Sequence, residues 1–430
     1  MAIGIHLVGQ AAKRGPLRRV PAADRFVEEI AGWIHDNAAD AVRSTRIGRP
    51  ALGSAAVLVD LHPAGEPAQI VLDDDGVVTV EAPTAVVGPG YHTYVCRLLQ
   101  RLAEELSIEW APTAPNGGAV DATGYFSTGD RSDAERGLLI WLRDVLVQAR
   151  ELRRRRGLGV QICRVAGDRF DVEGAVASCL GPRDDEWLGR AIAEPRVAID
   201  VWPWFTDATD ARYLLNRALC LMWTEVRWRT PAADGEPELF DEVLRLLHRA
   251  YPLDPSLPYP WHEWGEMLRL MPFAEPLAAR IAERAARPLD RAPIGYRRKP
   301  VTVVHAGWSL EIPGSFAERW NDGDWWAGEA GRSITLAATP TGQDGRPMAP
   351  EAFLDQVAGD LGTGALAHRD GPVVGRARLS VDPSSGVEVA VLDGYSAVVG
   401  SGAAIRVVID DPADWEWALN TWRSLEPAAL

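Results

Sequence analysis

Apolar side chains recur at helical spacing near the start of the chain (Phe26, Ile30, Trp33, Ile34), which predicts an amphipathic helix over RFVEEIAGWIHDNAADAV. The period then shortens. AAVLVDLHP, AQIVL and VVTVEA read as strands, the last two joined as a hairpin across the Asp-Gly turn of DDDG. A calcium loop would need acids at alternate positions, and Val77 and Thr79 interrupt them, so the hairpin is the expected reading. TAVVGPGYHTYVCRLLQRLAEEL (84–106) reads as strand, glycine turn and helix, and SIEWAPTAPNGG as a strand running into a loop. Ser132 and Glu135 have capping-box spacing at the head of a long helix that ends in RRRR (153–156), with Gly157 as its expected stop. Cations at a helix C-terminus complement the macrodipole, so RRRR is expected to serve the helix rather than nucleic acid.

Further along, GVQICRV and RVAIDVWPWF alternate like strands, and four amphipathic helical segments follow within 207–286, separated by proline-marked turns. From 301 onward, strand-like runs (VTVVHAGWSLEIPGSF, RSITLAAT, VGRARLSVD, GVEVAVLDGYSAVVG, AAIRVVIDD) alternate with turns, and helices are expected at 349–361 and 411–424. The fold class expected is therefore a multidomain α+β protein. A mixed α/β region spans 1–157, strands and then helices fill 158–292, 293–300 is a linker, and 301–430 is a small antiparallel α/β sandwich.

In the helical part, AYPLDP (250) and ARPLDR (286) are matching turns, and between them lies Trp261-x-x-Trp264-Gly265. Ala250, Leu253, Asp254 and Pro255 followed by Trp261 and Gly265 resemble the tetratricopeptide repeat over about 236–290, with Trp264 where that pattern has leucine and Leu268 where it has tyrosine. The resemblance implies a helical surface suited to holding another polypeptide. The element order after 300 and its GWSLEIPGSF opening are similar to the PsbP-like sandwich, which implies a binding or chaperone module.

Composition narrows the function. The 47 % hydrophobic and 24 % charged fractions suit a globular chain, and no apolar run approaches the roughly 18 residues of a membrane helix. The opening charges follow a short apolar run instead of preceding it, so a cytoplasmic protein is expected. A net charge of −15 disfavours nucleic acid and fits a basic partner, or plain solubility. The four cysteines (Cys96, Cys163, Cys179, Cys220) lack CxxC spacing and read as reduced structural thiols, with no cofactor or metal expected.

Candidate chemistry centres on GPGYH. Its setting is that of a dinucleotide turn, with Glu109 about twenty residues on where a ribose-binding acid would sit, but Thr93 replaces the third glycine and Pro89 offers no amide hydrogen. Gly90-Tyr91 is echoed by Gly124-Tyr125, each before a helix, so Tyr91, His92, Asp121 and Tyr125 are candidates for one cleft, with packing of both tyrosines under their helices as the simpler expectation. His262-Glu263 is not HExxH, because position 266 is Glu, and Asp184, Asp185 and Glu186 are expected at a helix N-terminus. Among 17 tryptophans, Trp202, Trp204, Trp223, Trp228, Trp261, Trp264, Trp325 and Trp326 are candidate anchors for a protein partner. Trp202 and Trp204, two apart on an expected strand, would face the same way.

The leading expectation is a non-enzymatic protein-binding protein, such as a bacterial immunity protein or effector chaperone with a basic toxin or effector as partner. An enzyme or small-molecule binder around His92 is the alternative, and a carbohydrate binder with a tryptophan platform is a third.

Overall fold

A computed structural model describes residues 3–428 except 14–20, 39, 52, 115–117, 119, 157–159, 163–167, 171–174, 272–274, 290, 322–323, 344–345, 362–363 and 383–388. Gly157 and Cys163 thus lie outside the described residues.

The N-terminal region is a six-stranded antiparallel sheet of β1 (Gly4–Ala11), β2 (Ser44–Gly48), β3 (Ser54–Asp60), β4 (Ala68–Asp73), β5 (Val77–Pro83) and β6 (Ile108–Trp110), in the order β2-β3-β4-β5-β1-β6. Helices α1 (Ala23–Ala38) and α2 (Pro89–Leu106) pack on it. Phe26, Ile30 and Ile34 of α1 are buried, as the helical period requires. The β4–β5 hairpin closes through Asp73, whose Oδ1 accepts the amides of Asp75 and Val77, with Gly76 left-handed at φ 83°.

A loop from 111, the single turn α3 (Tyr125–Thr128) and the long α4 (Arg131–Arg156) follow. Ser132 does not cap α4. The helix begins one residue earlier, and the Asp130 carboxylate accepts the Ser132 amide at 2.8 Å, because an ionised acceptor suits the positive helix start. The middle region contributes β7 (Val160–Ile162), β8 (Asp168–Arg169), β9 (Ala175–Ser178), β10 (Gly181–Asp184) and α5 (Asp185–Ala193), and Asp184 caps α5 by accepting the Trp187 amide. The four expected helices are present as α6 (Ala211–Thr224), α7 (Glu236–Leu253), α8 (Trp261–Leu270) and α9 (Ala278–Ala285). They pack as the pairs α6–α7 and α8–α9.

RVAIDVWPWF is not a strand. Pro195–Val201 is a 3-10 helix started by its proline, and 202–206 joins no sheet. Trp202 and Trp204 therefore do not share one face: Trp202 enters the core beneath α4 and α5, and Trp204 enters the main core.

At the C-terminal end, β11 (Val301–His305) and β12 (Trp308–Ile312) form a four-stranded sheet with β8 and β22 (Glu426–Pro427). A seven-stranded sheet runs β13 (Ala317–Asn321), β14 (Asp324–Glu329), β15 (Arg332–Pro340), β21 (Ser401–Ile409), β20 (Val389–Val398), β19 (Val373–Asp382) and β18 (Leu366–Asp370). The short pair β16 (Gly342–Gln343) and β17 (Arg346–Pro347) lies beside it, and α10 (Pro350–Val357) and α11 (Trp415–Arg423) pack on the large sheet. The protein is thus a mixed α+β multidomain molecule whose three regions share one apolar core running from Ile5 to Leu425. The middle of the 293–300 segment enters that interior, while Pro293, Lys299 and Pro300 are exposed. Ile294, Tyr296 and Arg297 are buried, and the Tyr296 hydroxyl donates to the Ser178 carbonyl while accepting the Ser178 amide.

Candidate functional site

The start of α2 is held from outside. The Gly90 amide donates to the Trp204 carbonyl at 3.0 Å, and the Trp204 amide donates to the Val87 carbonyl at 3.0 Å. A side chain at Gly90 would meet the Thr206 carbonyl oxygen at 2.0 Å, so only glycine allows this approach. The amide that a phosphate would need is already taken by backbone.

One residue on, His92 is fully buried and sits in a polar cluster. Thr84 Oγ1 lies 2.7 Å from its Nδ1. On the other side, Nε2 has Asp121 Oδ1 at 3.1 Å, Thr123 Oγ1 at 3.1 Å and Cys96 Sγ at 3.7 Å. Asp121 is fixed in turn: Oδ1 accepts the Thr123 amide at 2.7 Å, and Oδ2 accepts the Phe126 amide at 2.9 Å. The Tyr125 ring meets the imidazole edge-on at 6.4 Å. Burial alone would raise the Asp121 carboxyl, but the hydrogen bond and charge of His92, with the Phe126 and Thr123 amides, outweigh it and hold the pKa at about 2. Burial, reinforced by Asp121, pushes the Cys96 thiol up.

The chemistry open to this cluster is limited by which nitrogen each group faces. A cysteine nucleophile with a histidine base needs cysteine and carboxylate on opposite ring nitrogens. Here both approach Nε2. Thr84 is the residue opposite Asp121, but it too is fully buried. His92 Nε2, Cys96 Sγ and an Asp121 oxygen lie within 4.8 Å of one another, which makes them the set able to hold a metal ion among the described residues.

Tyr91 does not join this cluster. It faces the opposite interior, where its ring lies 5.9 Å from Trp204 and 6.1 Å from His62. The expected shared cleft is therefore replaced by two separate buried sites. Neighbouring residues on a helix point about 100° apart, so the two side chains leave α2 in different directions. His62 is neutral, its pKa pushed well below the usual value by burial and then by Arg217 and Arg43.

Of the tryptophan candidates, Trp202, Trp204, Trp264 and Trp325 are buried in core, while Trp223, Trp228, Trp261 and Trp326 are half-buried. Trp228 lies under the Arg298 guanidinium at 3.8 Å, Trp261 stacks on Trp264 at 5.6 Å, and Trp326 pairs with Arg319 across the β13–β14 hairpin. Trp223 packs on Tyr296 at 4.9 Å.

A feature that no local motif announced is a charged cleft of about 550 Å³ where the N-terminal sheet, α6–α7 and the C-terminal sheet meet. Seven carboxylates and four guanidinium groups line it. Arg43 spans Asp60, Glu225 and Glu242, and Arg227 spans Glu236 and Glu318. At the rim, Asp234 and Glu238 are exposed and have no ion pair among the described residues. Exposed Arg46, on the edge strand β2, forms part of the wall. A second cavity of about 530 Å³ is lined by cations, but Arg298 there is committed to Glu266 and Trp228, and Arg332 to Glu329.

No family model matches the chain, and no curated protein matches it. Among solved structures, it is similar to a chain described only as a crystal structure from Bacteroides thetaiotaomicron VPI-5482, at 11 % identity and a TM-score of 0.24, covering 29 % of this chain and 46 % of that chain. A likeness of that size carries no inference about fold or function. Among the described residues, no helix is long and apolar enough to cross a membrane.

Proposed function

We propose that the protein binds a cationic segment of another polypeptide in the acidic cleft between its three regions. The observation that carries this reading is the excess of carboxylates lining the cleft, with Asp234 and Glu238 exposed at its rim. Deeper in, Arg43, Arg217, Arg227, Arg229 and Arg297 pair with the buried acids and fix the walls, so the residual negative charge is presented outward. The fully exposed edge strand β2 beside it offers backbone groups along which an extended segment can pair. The net charge of −15 and the α8–α9 hairpin, with its resemblance to a peptide-holding repeat, support the same reading. An immunity protein or effector chaperone is the version in which the segment belongs to a basic toxin or effector, and a cytoplasmic location goes with it.

The enzyme alternative has less support, because His92 is sealed from solvent and Tyr91 faces away from it. The test of the binding reading uses a fluorescent oligo-arginine peptide, with an oligo-glutamate peptide as control, read by anisotropy. Binding of the arginine peptide is expected to fall with added salt and to weaken several-fold in Asp234→Asn/Glu238→Gln. Absence of binding, or equal binding by the double variant, overturns the proposal.

A further inference from the structure

We propose that His92, Cys96 and Asp121 form a buried site for a divalent transition cation of zinc's chemistry. The three donors differ in kind, an imidazole nitrogen, a thiolate sulfur and a carboxylate oxygen, and together they suit zinc better than calcium or magnesium. Their spacing fits. A tetrahedral ion with bonds of about 2.0 Å to nitrogen and oxygen and about 2.3 Å to sulfur separates its donors by roughly 3.3–3.5 Å. The observed separations from Nε2 are 3.1 Å to Asp121 Oδ1 and 3.7 Å to Cys96 Sγ. Thr123 Oγ1, 3.1 Å from the same nitrogen, marks the fourth direction.

The surrounding bonds already hold the donors as a metal would need them. Thr84 Oγ1 at 2.7 Å can accept a hydrogen on Nδ1, which leaves the Nε2 lone pair facing the other donors. The Phe126 amide holds Asp121 Oδ2, which turns Oδ1 toward the imidazole. His92 and Cys96 stand four residues apart on one face of α2, so the helix itself sets their separation. Charge balances as well. On binding, Cys96 releases its proton to solvent, and thiolate plus carboxylate neutralise the +2 ion beside a neutral imidazole.

Such an ion would tie the loop after β6 to α2. The full-length chain, loaded with zinc and dialysed, is expected to retain one zinc per chain, with X-ray absorption showing one sulfur among nitrogen and oxygen donors. Cobalt(II) in its place should give a thiolate-to-metal charge-transfer band that Cys96→Ser abolishes and Cys220→Ser retains. Failure to retain either metal, a donor shell without sulfur, or a band that survives Cys96→Ser overturns the site. If Cys96→Ser does not fold, the X-ray absorption of the wild-type chain decides alone.

Discussion

Tyr91 and His92 are consecutive residues on α2 whose side chains enter different parts of one core. The tyrosine closes an aromatic cage with Trp204 and His62, while the imidazole anchors Asp121 and the loop that carries it. The helix start is thus a partition between an apolar and a polar packing problem.

Gly90→Ala tests the clamp on that partition. With the Thr206 carbonyl oxygen 2.0 Å from the added methyl group, the 202–207 segment must be displaced, and a loss of about 3 kcal/mol is expected by urea unfolding. Gly124→Ala has open space around it but a φ of +81°, so it should cost only about 1 kcal/mol.

Asp121→Asn removes the charged acceptor that receives the Thr123 and Phe126 amides and faces His92. A loss of roughly 3 kcal/mol is expected, together with faster amide exchange along the 120–128 loop, measured by hydrogen–deuterium exchange. Exchange as slow as in the wild type would contradict the anchoring role.

Glu318→Gln tests how the regions are fastened. This buried carboxylate pairs with Arg297 from the 293–300 segment and with Arg227 beyond α6, and it accepts the Trp325 indole N–H. Neutralising it beside two guanidinium groups should cost about 3–5 kcal/mol in thermal or denaturant unfolding.

Glu263 gives a pH dependence. Burial alone would raise its carboxyl, but Arg291 and the Ile294 amide outweigh that and hold it below the ordinary range. A lowered folded-state pKa contributes stability that is present above the unfolded value of about 4.3 and lost as pH falls through the folded value. Melting curves of Glu263→Gln should accordingly run lower than wild type near neutrality and converge toward it in acid. Parallel curves across that range would show that this carboxylate does not titrate as argued.

Trp264→Ala, at a fully buried position, should cost about 3–5 kcal/mol, whereas Trp326→Ala, on the outer side of its hairpin, should cost far less.

The sequence revealed those features whose cause is local. Helices α1, α2 and α6 to α9 carry their apolar stripes in the chain, the DDDG turn needs only its own side chains, and Asp184 caps the helix that follows it. Misreadings arose where distant packing decides. RVAIDVWPWF alternates like a strand, yet its backbone satisfies itself as a 3-10 turn and against Val87. Trp325 and Trp326 both read as partner anchors in the chain, yet the alternation of β14 buries the first and leaves the second half-buried. Around His92, the repeated Gly-Tyr points to Asp121 and Tyr125, and the four-residue spacing on α2 is the signal in the chain for Cys96. The acidic cleft had no local signal, because its carboxylates are drawn from positions as far apart as Asp60 and Glu318.

The paired backbone bonds between Trp204 and the Val87–Gly90 turn bear on how the protein is made. A chain emerging from the ribosome exposes the first turn of α2 well before residue 204 exists to cover it. Until then the Gly90 amide faces water, and the aromatic cage lacks its lid. The first turn of α2 therefore reaches its final packing only once the middle of the chain has been made.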